Sequence, residues 1–201
     1  MSRLVWDQVG ERFYETGVDH AVLYPISPKG LYDKGVVWNG ITAITESPSG
    51  AEPNNLYADN MKYLVLVGAE DLGLTIEAYT YPDEWEECDG SVEIAPGVIA
   101  GQQSRKVFGL SYRTKLGNDV DGQDHGYKLH LIYGSLASPS ERGYQTVNDS
   151  PEPINPSWEI TTTPVAIPGF KPTARLIITS TKVDPAKLKT LEDILYGSDD
   201  T

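Results

Sequence analysis

This sequence of 201 residues has little cysteine, no long apolar run and, over one third of its length, almost no positive charge. Cys88 is the single cysteine, which excludes an intrachain disulfide and leads us to expect synthesis in a reducing compartment. The longest uninterrupted apolar run is five residues, 63–67, far too short to cross a bilayer as a helix. No apolar stretch of signal-peptide length opens the sequence. Lys and Arg are absent from 63 to 104, and the wider span 35–104 holds twelve carboxylates against one base, Lys62. Nearly all of the formal charge of −13 therefore sits in one contiguous third. Such a chain has no basic footprint with which to grip nucleic acid, although nothing prevents nucleic acid from sliding past it.

The hydrophobic content, 39%, is adequate for one core, so a single domain over 1–201 is expected. Twelve tyrosines against three phenylalanines suit half-exposed sheet faces and subunit contacts. Fourteen prolines and nineteen glycines imply many turns.

Period-two alternation dominates the pattern. Strands are expected at 20–26, 36–45, 72–80, 107–113, 127–133, 158–163 and 174–179, with 63–67 as a short buried strand. In the second of these, Val36, Trp38, Thr42 and Ile44 share a face; in the third, Leu72, Leu74, Ile76 and Ala78 point inward. Turn clusters between the runs suggest a mainly β fold, an antiparallel sandwich or barrel. One helix is clear: Asp184 is a good N-cap, Pro185 suits the first helical position, and Leu188, Leu191, Ile194 and Leu195 make an apolar stripe before Gly197. A short acidic helical turn is expected at 82–87. Three segments read as projecting parts: an N-terminal arm 1–19, a long loop or open hairpin 46–59, and the proline-rich loop 138–156; a C-terminal helix and tail occupy 184–201.

A search for catalytic chemistry comes back nearly empty. There is no phosphate-binding loop, dinucleotide fingerprint or Gly-x-Ser-x-Gly, so no enzyme and no cofactor or metal site is expected. Glu86, Glu87 and Asp89 beside Cys88 suppress a reactive thiolate. The acids Asp83, Glu84, Glu86 and Glu87 could flank a glycosidic bond, but neighbouring acids on one turn read more simply as a solvated face. The Asp-rich run 119–130 puts glycine at loop position four and His130 at position twelve, where a calcium loop wants glycine at six and glutamate at twelve. It reads as a β-hairpin turn. Asn148-Asp-Ser150 is formally a glycosylation acceptor. The four tryptophans raise an alternative, a carbohydrate-binding β-sandwich on a phage or cell surface; Trp38 and Trp158 read as core, Trp6 and Trp85 as contact surface.

Several segments, taken in order, are similar to one known family: Trp6-Asp-Gln-Val-Gly-Glu-Arg-Phe-Tyr-Glu-Thr-Gly17, Val37-Trp-Asn-Gly40, Glu46-Ser-Pro-Ser-Gly50, Tyr57-Ala-Asp59, Glu77-Ala-Tyr-Thr-Tyr-Pro-Asp83, Gly101-Gln-Gln103, Phe108-Gly-Leu-Ser-Tyr-Arg113 and His125-Gly-Tyr-Lys-Leu-His130. Together they resemble the major tail (tail tube) proteins of long, non-contractile-tailed bacteriophages, from about Trp6 to Gly197. The resemblance implies a two-sheet antiparallel β-sandwich with a flanking helix. It also implies a virion protein, assembled in the host cytoplasm, whose hexameric rings stack into a hollow tube that conducts viral double-stranded DNA without holding it tightly. The implied partners are further copies of itself, a tape-measure protein and tail-tip or terminator proteins, with no membrane. Under this resemblance the stretch without bases is the candidate lumen, with Glu77 and the turn Asp83, Glu84, Glu86 and Glu87 lining it or else meeting Arg105, Lys106 or Arg113 of a neighbouring subunit. Trp6, Phe13, Tyr14 and Tyr57 are the candidate subunit contacts.

Overall fold

A computed structural model describes residues 3–147, 149 and 152–198. The chain is mainly β and antiparallel, with a flanking C-terminal helix, as the alternation implied. Its strands are β1 (Tyr14–Pro25), β2 (Val36–Val37), β3 (Ile41–Gly50), β4 (Pro53–Ala58), β5 (Met61–Val67) and β6 (Glu70–Ala78), followed by β7 (Val92–Ala95), β8 (Val98–Ala100), β9 (Phe108–Asn118), β10 (Gly122–Ala137), β11 (Ser157–Thr162) and β12 (Arg175–Thr179). The helices are α1 (Trp85–Asp89) and α2 (Pro185–Tyr196). Eight strands form one sheet, seven along the path β2-β1-β9-β10-β11-β6-β3 and β12 off it on β10; β4–β5 and β7–β8 are separate hairpins.

The long strand β10 makes the layers. Its middle, Lys128 to Ile132, pairs with β12 and its last residues, Ser135 to Ala137, with β11, so the path bends there and folds β11-β6-β3 over β1-β9-β10. The edges come back together where the Trp38 amide donates to the Ala21 carbonyl at 2.9 Å. Leu72, Leu74, Ile76 and Ala78 of β6 all turn inward, as read from the alternation, and meet Leu23, Phe108, Leu110, Tyr112, Trp158 and Ile160. On the outer face α2 covers β1, β9 and β10. The Tyr24 hydroxyl donates to the Leu195 carbonyl at 3.0 Å, and the Tyr127 hydroxyl donates to Glu192 Oε1 at 2.6 Å. Asp184 caps α2 as expected, accepting from the Ala186 and Lys187 amides. No helix among the described residues is long and apolar enough to cross a membrane.

Five expectations are corrected. The arm is shorter than 1–19, because β1 already begins at Tyr14; two bulges, with Gly17 and His20 at positive φ, break the alternation that would have revealed it. The single strand expected at 36–45 is two, split at 38–40, where Gly40 (φ 77°) turns the chain from one layer to the other. The segment 46–59, expected as a long loop or open hairpin, is strand on both sides of a two-residue break at 51–52, and the two strands pair with β6 and β5 rather than with each other. Residues 63–67 are exposed rather than buried, forming most of β5. Within α2, Ile194 is 75% exposed and lies outside the packed stripe, while Leu188 is the buried anchor. Asn148 and Ser150 of the acceptor sequence and the last three residues of the tail lie outside the described residues.

Candidate assembly surface

The β4–β5 hairpin continues the β3–β6 ladder beyond its last pair, Gly50 with Glu70. Gly50 (φ 76°) and Ala51 (φ 55°) let the ribbon turn at its root, where the Ala51 amide donates to the Ala69 carbonyl at 3.0 Å. A Cβ on Gly50 would sit 2.6 Å from that carbonyl oxygen, so only glycine fits. At about 3.4 Å per residue the ribbon reaches roughly 20 Å. Its pairs are Pro53 with Val67, Asn54 with Leu66, Asn55 with Val65 and Leu56 with Leu64. Successive pairs point to opposite faces, so Val65 and Val67 lie on one face and Leu56, Leu64 and Leu66 on the other. Neither face is covered: Leu66 is 53% exposed, Val67 64%, Tyr57 71% and Tyr63 68%. A free-standing two-stranded hairpin is marginal in water, and one with two apolar faces is an interaction element.

A second apolar element accompanies it. Leu4, Val5, Trp6, Val9 and Phe13 are each at least 60% exposed. The arm's inner end is latched to the turn between β9 and β10: Asp119 Oδ1 accepts from the Gly10 amide at 3.0 Å and the Arg12 amide at 3.4 Å, and the Phe13 ring sits 5.3 Å from that of His125. The Asp-rich hairpin turn is therefore also the seat of the arm. Of the expected contact residues, Trp6, Phe13, Tyr14 and Tyr57 are all exposed; the Tyr14 ring lies close over Gly117.

The acidic third is partly neutralised from within. Glu87 pairs with Lys106, Asp89 with Arg142 and Glu46 with Arg175, each base coming from outside that third. Asp83, Glu84, Glu86 and Glu87 share one open groove of about 930 Å³ with Asp33, Lys34 and Glu93. Glu77 does not line it; its carboxylate accepts from Asn155 Nδ2 at 3.1 Å. Trp85, expected at the surface, is fully buried: α1 turns it and Cys88 inward, and its ring centroid lies 4.5 Å from Trp38, 5.0 Å from Phe108 and 5.5 Å from Trp158. Three of the four tryptophans are thus core and present no face on which a sugar could stack. Burial, with Glu87 adding to it, pushes the Cys88 thiol up to about 12, against an opposing pull from Lys106.

One buried polar cluster escaped sequence reading, because its members come from five strands. His130 of β10 is buried and stacks on Tyr112 of β9 at 4.6 Å and 6°. Its Nε2 lies 3.0 Å from Thr114 Oγ1 and 3.7 Å from Glu15 Oε1, and its Nδ1 lies 3.8 Å from Glu46 Oε1. The Tyr112 hydroxyl donates to Glu46 Oε1 at 2.7 Å, Arg175 of β12 pairs with Glu46, and Lys128 and the Thr114 hydroxyl both donate to Glu15. With its Nδ1 protonated, His130 is the largest influence holding the Glu46 carboxyl down at about 2, followed by Tyr112 and Arg175, against the cost of its burial. Burial and the Glu46 carboxylate raise the Tyr112 phenol.

No family model and no curated protein matches this chain. Among solved structures it is similar to a chain in the cryo-EM structure of an extracellular contractile injection system, the PVC sheath-tube complex in its extended state. The likeness has a TM-score of 0.35 at 10% identity and covers 87% of this chain and 93% of the other. A likeness at that level carries no argument about function, which rests on the chain's own surface.

Proposed function

We propose that this chain is a structural subunit that assembles with copies of itself into a phage-tail-like tube. The observation that carries the reading is the β4–β5 hairpin, about 20 Å of ribbon with apolar side chains exposed on both faces. A surface of that kind on an otherwise well-packed domain needs a partner, and a second copy is the partner always present at matching concentration. The exposed arm supplies a second apolar contact, and the ordered segments that resemble major tail proteins favour a tube over other assemblies.

In its fuller form the proposal has stacked hexameric rings around a tape-measure protein, closed by tail-tip and terminator proteins in the virion. The lumen passes double-stranded DNA past a wall poor in bases. Anionic walls without cationic anchors let a polyanion move without sticking points. The role is structural, with no catalysis. Negative-stain microscopy of the purified chain at rising concentration tests it: rings or tubes with a central hole are expected, and a monomer at every concentration would overturn it.

A further inference from the structure

We infer that His130 couples the strand carrying the arm to the strand carrying the hairpin, acting as a two-position element set by which ring nitrogen holds the proton. Glu15 stands on β1, immediately after the arm and Tyr14; Glu46 stands on β3, which runs on into β4–β5. The two carboxylates flank opposite nitrogens of one buried ring.

The hydrogen-bond geometry identifies the position adopted. Thr114 Oγ1 donates its single hydrogen to Glu15, so toward His130 it can only accept. Nε2 therefore carries the ring proton, and Nδ1 presents a lone pair to the Glu46 carboxylate. That accounts for the 3.8 Å gap there and for Nδ1 being buried without a hydrogen-bond partner. Moving the proton to Nδ1 reverses every link. Nδ1 then donates to Glu46, Nε2 accepts from the Thr114 hydroxyl, and Glu15 loses the Thr114 donor, retaining Lys128. A neutral imidazole has one N–H and serves one side at a time, whereas an imidazolium serves both. The other groups facing the ring are Tyr112, stacked on it and bonded to Glu46, and Arg175, paired with Glu46. The two arrangements bias β1 and β3 in opposite senses, which is what a coupling element requires.

This inference rests on the assembly reading for its purpose, but it is tested on the unassembled chain. Thr114→Val removes the Nε2 acceptor. Ring 15N shifts should then show the proton moved to Nδ1, and amide hydrogen exchange should slow at residues 44–52 while quickening at 14–16. Changes of about fivefold, the low end of ordinary coupling between sites, are expected. Tyr112→Phe carries the test from the other side if Thr114→Val does not fold. Glu46 then recruits Nδ1–H, and exchange quickens at 14–16. Unchanged ring shifts, or exchange altered only beside the substituted residue, would overturn the coupling. Failure of the wild-type chain to form rings would instead count against the assembly reading and leave these measurements standing.

Discussion

The Tyr112 hydroxyl donates to Glu46 Oε1 at 2.7 Å, joining β9 to β3 across the inside of the bent sheet. With Arg175 on the other oxygen and His130 beside it, this carboxylate is the most strongly held acid of the cluster.

Glu46 therefore makes stability depend on pH with a definite sign. Its folded value of about 2 lies below the ordinary 4.5, so its contribution is present above 4.5 and is lost as pH falls through about 2. Glu46→Gln should cost roughly 3 kcal/mol near neutrality, at about 1.4 kcal/mol per pH unit of displacement. The gap between wild type and variant should close below about pH 2. Denaturant titrations at a series of pH values measure both.

Leu64→Asp combined with Leu66→Asp should abolish rings and tubes while leaving the fold intact. Both side chains are on the surface of the free chain, so unfolding free energy should change by no more than about 0.5 kcal/mol. Microscopy and chemical denaturation, run side by side, separate the two effects.

Asp119→Ala removes the acceptor of two arm amides, of Gly10 and Arg12. Loss of these exposed bonds should cost about 1 kcal/mol locally and little globally. Limited trypsin digestion should cut at Arg12 faster in the variant, with the domain from β1 onward surviving.

Trp85→Ala empties the centre of the aromatic core. A loss of about 3–5 kcal/mol is expected for a large buried ring, read as a lower midpoint of denaturant unfolding. A contact-surface role for Trp85 would predict almost no loss.

Cys88, with its thiol pushed up to about 12, should be inert to thiolate-directed reagents in the folded chain at neutral pH and react once the chain is unfolded. Reaction of the folded protein at the rate of the unfolded one would contradict its burial.

The sequence alone determined the antiparallel β class, the inward set of β6, the Asp184-capped helix and the anionic third. Each of these is written in local periodicity, capping chemistry or composition, which need no knowledge of distant partners. Only the tertiary structure decided what those local signals meet. A five-residue apolar run reads as buried whatever lies opposite it, and 63–67 is exposed because its partner is another ribbon strand with no layer above either face. Bulges at Gly17 and His20 hid the first half of β1, since one extra residue inverts the alternation. Trp85 turned inward because α1 needed an apolar face toward Phe108 and Trp158. The meeting of Glu15, Glu46 and His130 depended on the bend in β10, which brings strands distant in sequence around one buried ring.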